Sequence, residues 1–496
     1  MHSKKAVIIG SGIGGMATAI RLAVQGYDVI IFEKNAQPGG KLSILEKDGY
    51  RFDTGPSLFT QPANIEELFE LAGEPIKDYF NYQPVDLACR YFYSNGKIVN
   101  GWTDSLQFAE ELKNNFDERP HAVTGYLAES ARAYNDIGTV FTDHSLHKRS
   151  TWFNKRILKA LGSMKAGYLF SSLDKYNRSC FKSPETVQLF NRYATYNGSS
   201  PYKAPGMLSL IPHLEYNPGT FYPEGGMISI VNALYRLAKK KNVRFHFDQP
   251  VQSIIHHEGM VRGVVVNDQN IPAGIVVSNA DIYFTYKNLF HDPYRAKKIL
   301  KQQRSSSALI FYWGIKKKFD ELSLHNIFFS DDYKKEFDGL FHQKKISGDP
   351  TVYINITSKM EPGHAPAGKE NWFVMINAPA NTGQDWELLK TEARQHIVNK
   401  LNNILQTDIE PLIESEAVLD PLLIESQTGS YMGSLYGTSS NSKLAAFLRH
   451  PNFTGTVKGL YFCGGSVHPG GGIPLCFKSA KIVSELIQNS DKKAGH

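Results

Sequence analysis

The residues best placed to do chemistry near the start of this sequence carry no side chains at all. Gly10, Gly12 and Gly15 follow the apolar run Ala6–Ile9 in the spacing G-x-G-x-x-G, with Gly14 between them. Bare backbone at that spacing suits a phosphate-bearing cofactor. Gly10 permits the turn, Gly12 lets N–H groups approach a pyrophosphate, and Gly15 lets the next helix pack closely on the strand. With 41 glycines in the chain the spacing alone is weak, so its setting decides. Residues 13–25 place small or apolar side chains at Ala17, Ile20, Leu22 and Val24 and run up to Gly26, which predicts a short helix stopped at a glycine. Asp28–Phe32 predicts a second buried strand ending at Glu33, close to the ~20-residue interval at which a dinucleotide fold places its ribose-binding acid.

Two further glycine clusters ask for a larger cofactor than a nicotinamide. Gly39-Gly40-Lys41 lies just past Glu33, and Asp53-Thr54-Gly55-Pro56 follows another predicted strand. At the far end, GLYFCGGSVHPGGGIPLCFK (459–478) predicts a buried strand at Leu460–Cys463, a glycine turn, and a helix over about 474–488 with Ile482, Leu486 and Ile487 on its apolar side. The two ends of the chain are then expected to meet on one long cofactor, which points to FAD.

These motifs resemble the bacterial carotenoid desaturases, FAD enzymes related to amine oxidases and retinol saturase. The resemblance rests on GSGIGG with Glu33, on Gly39-Gly40-Lys41, on HPGGGIP, and on FYPEGGMISIVNAL (Phe221–Leu234). Val251–Ile254 and Val276–Ala280 resemble the strands that complete the family's FAD domain. The resemblance implies that Gly10, Gly12, Gly14 and Gly15 face the pyrophosphate and Glu33 the adenosine ribose. It further implies that the Val251 backbone meets the adenine, and that Gly40, Lys41 and the turn Gly55-Pro56-Ser57 lie towards the flavin. Gly465 and Gly471-Gly472-Ile473 would touch the ribityl phosphate and the isoalloxazine. Many members have an alanine where this chain reads PGGG, and GGSVHPGGGIPL looks closer to the branch acting on hydroxylated or methoxylated acyclic carotenes, the hydroxycarotenoid 3,4-desaturases.

The implied fold is α/β: a Rossmann-like, amine oxidase-like FAD domain assembled from residues 1–60, 221–283 and 441–490. A discontinuous α+β substrate domain would come from 61–220 and 284–440. The implied reaction introduces C=C bonds into a linear carotenoid by hydride transfer to the flavin, with oxygen or a quinone as electron acceptor. No catalytic acid or base is assigned, because the polyene itself spreads the allylic charge; structural roles serve His468, His213 and Glu224 equally well. No HExxH, Cys/His cluster or GxSxG elbow supports metal or acyl chemistry.

Bulk properties agree. The chain has 496 residues, 42% of them hydrophobic, and its +7 net charge is scattered rather than gathered, which disfavours nucleic acid. Four widely separated cysteines suit a reducing cytoplasm, and no run approaches the ~20 apolar residues of a spanning helix. Within 150–173, a helix would gather Phe153, Ile157, Leu161, Met164 and Tyr168 on one side and Lys155, Arg156 and Lys159 on another. That is a candidate membrane-associating helix with a domain helix as its equal alternative, and it leads to an expectation of peripheral association with a membrane surface. Two rival functions fit the same motifs: a flavin-dependent polyene saturase or isomerase, and an isoprenoid-binding escort protein without redox chemistry.

Overall fold

Five parallel strands set the site. The computed structural model describes residues 4–153, 155, 159, 162, 166–442 and 449–494. Strand β1 (Lys5–Ile9) pairs on one side with β2 (Asp28–Phe32) and on the other with Ile275–Ser278; Arg244–His246 and Leu460–Phe462 complete the two edges. These strands are apolar runs rather than alternating ones because both faces are covered. Ala6, Ile8, Val29 and Ile31 pack under helix α1 (Ile13–Val24), the helix Ile228–Lys240 and the helix Ile473–Ala494. Val7, Ile30, Val276 and Phe462 point the other way, towards the antiparallel strands Val251–His257, Met260–Val266 and Gln269–Pro272. Val251 therefore opens a strand of this separate three-stranded sheet, whereas Val276 lies in the parallel one. The C-terminal helix runs longer than the predicted 474–488. Strand order reverses at β1, so the loops that leave the carboxyl ends of neighbouring strands diverge and open a crevice.

A second sheet of seven strands stands across that crevice, in the order 413–419, 307–315, 370–378, 352–355, 325–328, 87–92, 98–102. Its two faces follow from the period of two along a strand. Leu309, Phe311, Trp313, Val374 and Ile376 pack beneath the helix Trp386–Leu405. The alternate positions Ala308, Ile310, Phe373 and Met375, with His325, Ile327 and Tyr353, face the crevice. Helices between Ser105 and Tyr216 roof the remaining side.

Most described residues of the segment 150–173, Lys155, Lys159 and Gly162 among them, are helical. Arg149–Trp152 is helical, Phe153 is a turn residue, and Ala166–Phe170 is helical. Ile157, Leu161, Met164 and Arg156 lie outside the described residues. The predicted stripe divides: Phe153 is 84% exposed and Tyr168 only 1%. Tyr168 packs inward with Phe141, Leu146, Met207 and Leu210 and hydrogen-bonds the Glu129 carboxylate. Among the described residues, no helix is long and apolar enough to cross a membrane.

Candidate cofactor and substrate site

The loop after β1 turns at Gly10 with φ +94°, which glycine alone adopts without strain. Helix α1 then starts with no side-chain cap and no acidic residue in its first turn, leaving its first N–H groups free for an anion. Asn279, just past the strand Ile275–Ser278, ties this loop to the C-terminal one. Its N–H donates to the Ile9 carbonyl (2.8 Å) and its Nδ2 to the Cys463 carbonyl (3.2 Å). Its side chain is wedged among Gly12, Gly14, Gly15 and Gly464, where added β-carbons would crowd it. A β-carbon on Gly14 would also lie 3.1 Å from the Gly464 Cα, so the two ends of the chain meet backbone to backbone. Gly15 does not line the cavity; it abuts the Gly10 carbonyl, where a β-carbon would overlap that oxygen. The contacts there are those of helix–strand packing.

Glu33, at the end of β2, is buried, and it accepts from the Ser11 N–H (2.7 Å), the Ser11 hydroxyl (2.8 Å) and the Asn35 N–H (3.0 Å). The carboxylate thus clamps the glycine loop while keeping lone-pair capacity on Oε1 for a ribose hydroxyl. Pro250 and Val251 border the cavity beside it.

At the opposite end, Gly40, Lys41, Gly55, Pro56 and Ser57 face Gly465, Gly471, Gly472 and Ile473 across the same cavity. Lys41 is held by the Leu435 carbonyl (2.6 Å); burial pushes its pKa down, with Asp281 opposing. Asp281 and Arg304 form a buried pair (2.8 Å). Arg449 is buried with no carboxylate partner among the described residues: its Nη1 donates to the Tyr436 carbonyl (2.8 Å), its Nη2 is unpaired, and burial pushes its pKa down to about 10. His468 donates Nε2–H to the His144 carbonyl (2.9 Å), and burial pushes it down to about 4. His213 packs on Tyr134 away from the cavity, and Glu224 is exposed.

The cavity, about 970 Å³, runs on between the seven-stranded sheet and the helical roof. Its walls there are Phe141, Leu146, Met207, Leu208, Leu210, Ile211, Ile310, Ile327, Phe373 and Met375. One polar island interrupts them. Arg192 and Glu215 pair at 2.7 Å, and the Tyr91 and Tyr193 hydroxyls bind Arg192 Nη2 at 2.6 and 2.9 Å; Tyr196 hydrogen-bonds Glu215. His325, Tyr353 and Ser57 form a hydrogen-bonded line nearby.

Fourteen of the fifteen residues expected at the cofactor line this one cavity, Gly15 being the exception. Sequence reasoning missed Asn279, Tyr436, Arg449 and the Arg192–Glu215 and His325–Tyr353 groups. Asn279 falls within the segment Val276–Ala280 and the others carry no motif. The site fits FAD on its own features: a glycine cradle in which β-carbons on Gly12, Gly14 and Gly464 would crowd, an uncapped helix start facing it, and a buried arginine with a donor unmet among the described residues. The flavin-containing amine oxidoreductase family model matches residues 13–488. Over 488 residues the chain is 50% identical to the 1-hydroxycarotenoid 3,4-desaturase of Flavobacterium sp. (strain P99-3), covering 98% of this chain and all of that protein. It is 31% identical to the phytoene desaturase of Fusarium fujikuroi, covering 98% and 89% of the two chains. Putrescine oxidase bound to putrescine superposes with a TM-score of 0.65 at 14% identity over 98% of this chain and 99% of that one, a likeness of fold.

Proposed function

This chain belongs to the flavin-containing amine oxidoreductase family and is an FAD-dependent oxidoreductase, and we propose that it desaturates a linear carotenoid, placing a 3,4 double bond in a 1-hydroxylated acyclic polyene. The observation that carries this reading is one continuous cavity joining a glycine-lined, cationic end to a long apolar one. A small amine would not need the second half; a hydrocarbon chain would fill it. The full-length 1-hydroxycarotenoid 3,4-desaturase relative supports the bond and the substrate, and the same relatives set the escort alternative aside.

FAD, when bound, accepts the hydride that leaves the substrate carbon. The chain's own residues do the remaining work. Gly10, Gly12, Gly14 and the start of α1 hold the diphosphate; Glu33 and Val251 take the adenosine, while Lys41, Gly55–Ser57 and Gly471–Ile473 surround the ring system. Ile310, Ile327, Phe373 and Met375 keep the reacting bond straight and dry, so that orientation rather than a strong base lowers the barrier. The adjacent C–H becomes acidic once the allylic charge forms, and the domain division expected from the sequence assigns these two tasks to separate lobes.

The substrate's solubility argues for entry from a bilayer: at ~0.8 kcal/mol per buried CH₂, a forty-carbon polyene scarcely visits water. Trp152, Phe153 and Phe170 are exposed on the outside of the wall whose inner side, around Tyr168, Leu146 and Met207, borders the cavity. We assign this face to a membrane surface, with oxygen or a quinone reoxidising the enzyme there.

The test is anaerobic incubation of the FAD-loaded enzyme with acyclic and 1-hydroxylated carotenoids, following flavin and polyene absorbance together. Flavin bleaching with a red-shifted polyene is expected. An isomerised polyene with the flavin unbleached, or a polyene of shortened conjugation formed only after the flavin has been reduced with dithionite, would replace desaturation by isomerase or saturase chemistry.

A further inference from the structure

Apart from the Arg192–Glu215 island, whose groups pair with one another, a second polar side chain lies in the apolar half of the cavity. His325 is 2% exposed and opens the strand His325–Phe328, where alternation turns it and Ile327 to the cavity and Phe328 to the opposite core. Its Nδ1 lies 2.7 Å from the Tyr353 hydroxyl and 3.2 Å from Asn355 Nδ2. The Asn355 amide is oriented by the Leu324 carbonyl, to which the same Nδ2 donates at 3.0 Å. An amide nitrogen only donates, so Nδ1 accepts and the imidazole proton sits on Nε2. Burial pushes the ring down to about 4, with Glu215 and Arg192 acting in opposite directions, so the ring is neutral near pH 7. The ring's hydrogen bonds to described residues are both made at Nδ1, and His325 lines the cavity, which leaves Nε2–H for a ligand.

A fixed neutral donor in an apolar wall suits one class of ligand group: an uncharged oxygen acceptor, a hydroxyl or ether at the end of an otherwise hydrocarbon chain. The ring's position matters as much as its polarity. Tyr353 bridges His325 to Ser57, its hydroxyl 2.8 Å from the Ser57 hydroxyl, and Ser57 belongs to the turn placed beside the flavin. His325 is thus linked through two hydrogen bonds to the turn that the desaturase reading sets beside the flavin.

We propose that His325 is the specificity-determining donor of this site: its Nε2–H hydrogen-bonds the terminal oxygen of an oxygenated acyclic polyene and sets which bond meets the cofactor. This rests on the desaturase reading above. A polyene without the oxygen leaves the donor unpaired in a dry wall, and discrimination of roughly tenfold or more in affinity follows.

The experiment compares three acyclic polyenes of equal length, ending in a tertiary hydroxyl, its methyl ether, or plain hydrocarbon, for binding and turnover by the FAD-loaded enzyme. Wild type is expected to favour both oxygenated forms over the hydrocarbon, because the protein donates and the ligand accepts. His325→Gln, which retains an N–H, should keep most of the preference. His325→Phe should lose it while binding the hydrocarbon at least as well, with flavin content and Tm reporting folding. Equal binding of all three by wild type, or preference for the hydroxyl alone, overturns the proposal while conversion of the polyenes leaves the desaturase reading standing. A folded His325→Phe that keeps the preference overturns it too. No conversion of any polyene by wild type sinks both.

Discussion

Replacing Gly15 by alanine probes the joint on which the whole cofactor site depends. The added β-carbon would overlap the Gly10 carbonyl oxygen, a backbone atom of the turn itself, and would lie 3.1 Å from Asn279 Oδ1. Relief to ordinary contact needs a shift of about 1 Å between α1 and the end of β1. Neither side yields easily. Met16, Ala17 and Ile20 of α1 are fully buried, and β1 is paired on both sides. Overpacking of this kind costs about 1–3 kcal/mol of stability. The same shift stretches a hydrogen bond of ~2.9 Å from the helix N–H groups beyond useful range. Losing one charge-assisted bond at ~1.5–3 kcal/mol weakens FAD binding by roughly 10- to 100-fold. The assay is titration of the apoprotein with FAD, read by flavin fluorescence, together with a melting curve. Gly26→Ala is the control: φ is +86° there, but no atom lies within 4 Å of the added carbon. It should lose about 1–2 kcal/mol of stability with unchanged FAD affinity. A Gly15→Ala protein with wild-type Tm and FAD affinity would refute the packing argument.

Other expectations follow from the same geometry. Asn279→Leu removes the amide donated to the Cys463 carbonyl and crowds Gly12 and Gly464, so it should cost about 2 kcal/mol in denaturant unfolding and lower the flavin content. Stability should fall on acidification. His325 and His468 are neutral in the folded protein down to about 4, whereas the unfolded chain takes up protons below about 6.5, so stability is full above that pH, is lost between the two values, and levels off below. Each ring contributes at most about 3 kcal/mol to that loss, and His468→Gln should flatten the Tm profile between pH 6.5 and 4; an unchanged slope would contradict it. Phe153→Asp with Phe170→Asp should reduce sedimentation with phospholipid vesicles severalfold while leaving flavin binding intact; unchanged sedimentation would remove this face from the membrane.

Where local pattern and global fold agree, the sequence alone was sufficient. The apolar run Ala6–Ile9 and the run Asp28–Phe32 read as strands covered on both faces, and they are strands of the parallel sheet. Glycines at their ends, read in that setting, pointed to the flavin cofactor and to the union of the two chain ends. Gly15 was readable from the motif as the glycine that lets helix and strand pack, and its place against the Gly10 carbonyl agrees. Glu33 was readable as an acid near a ribose, while its clamp on Ser11 depends on how the loop folds back. In the segment 150–173 helical periodicity could not say which neighbour covers the stripe, and tertiary packing draws Tyr168 inward while leaving Phe153 out. The specific chemistry of the cavity was wholly a tertiary matter. His325, Tyr353, Ser57, Arg192 and Glu215 come from distant points of the chain and share no spacing. Only the register of the seven-stranded sheet, fixing which side chains face inward, brings Tyr353 between His325 and Ser57. A strand's period of two is local, but which of its faces meets the cavity is decided by what packs on the other.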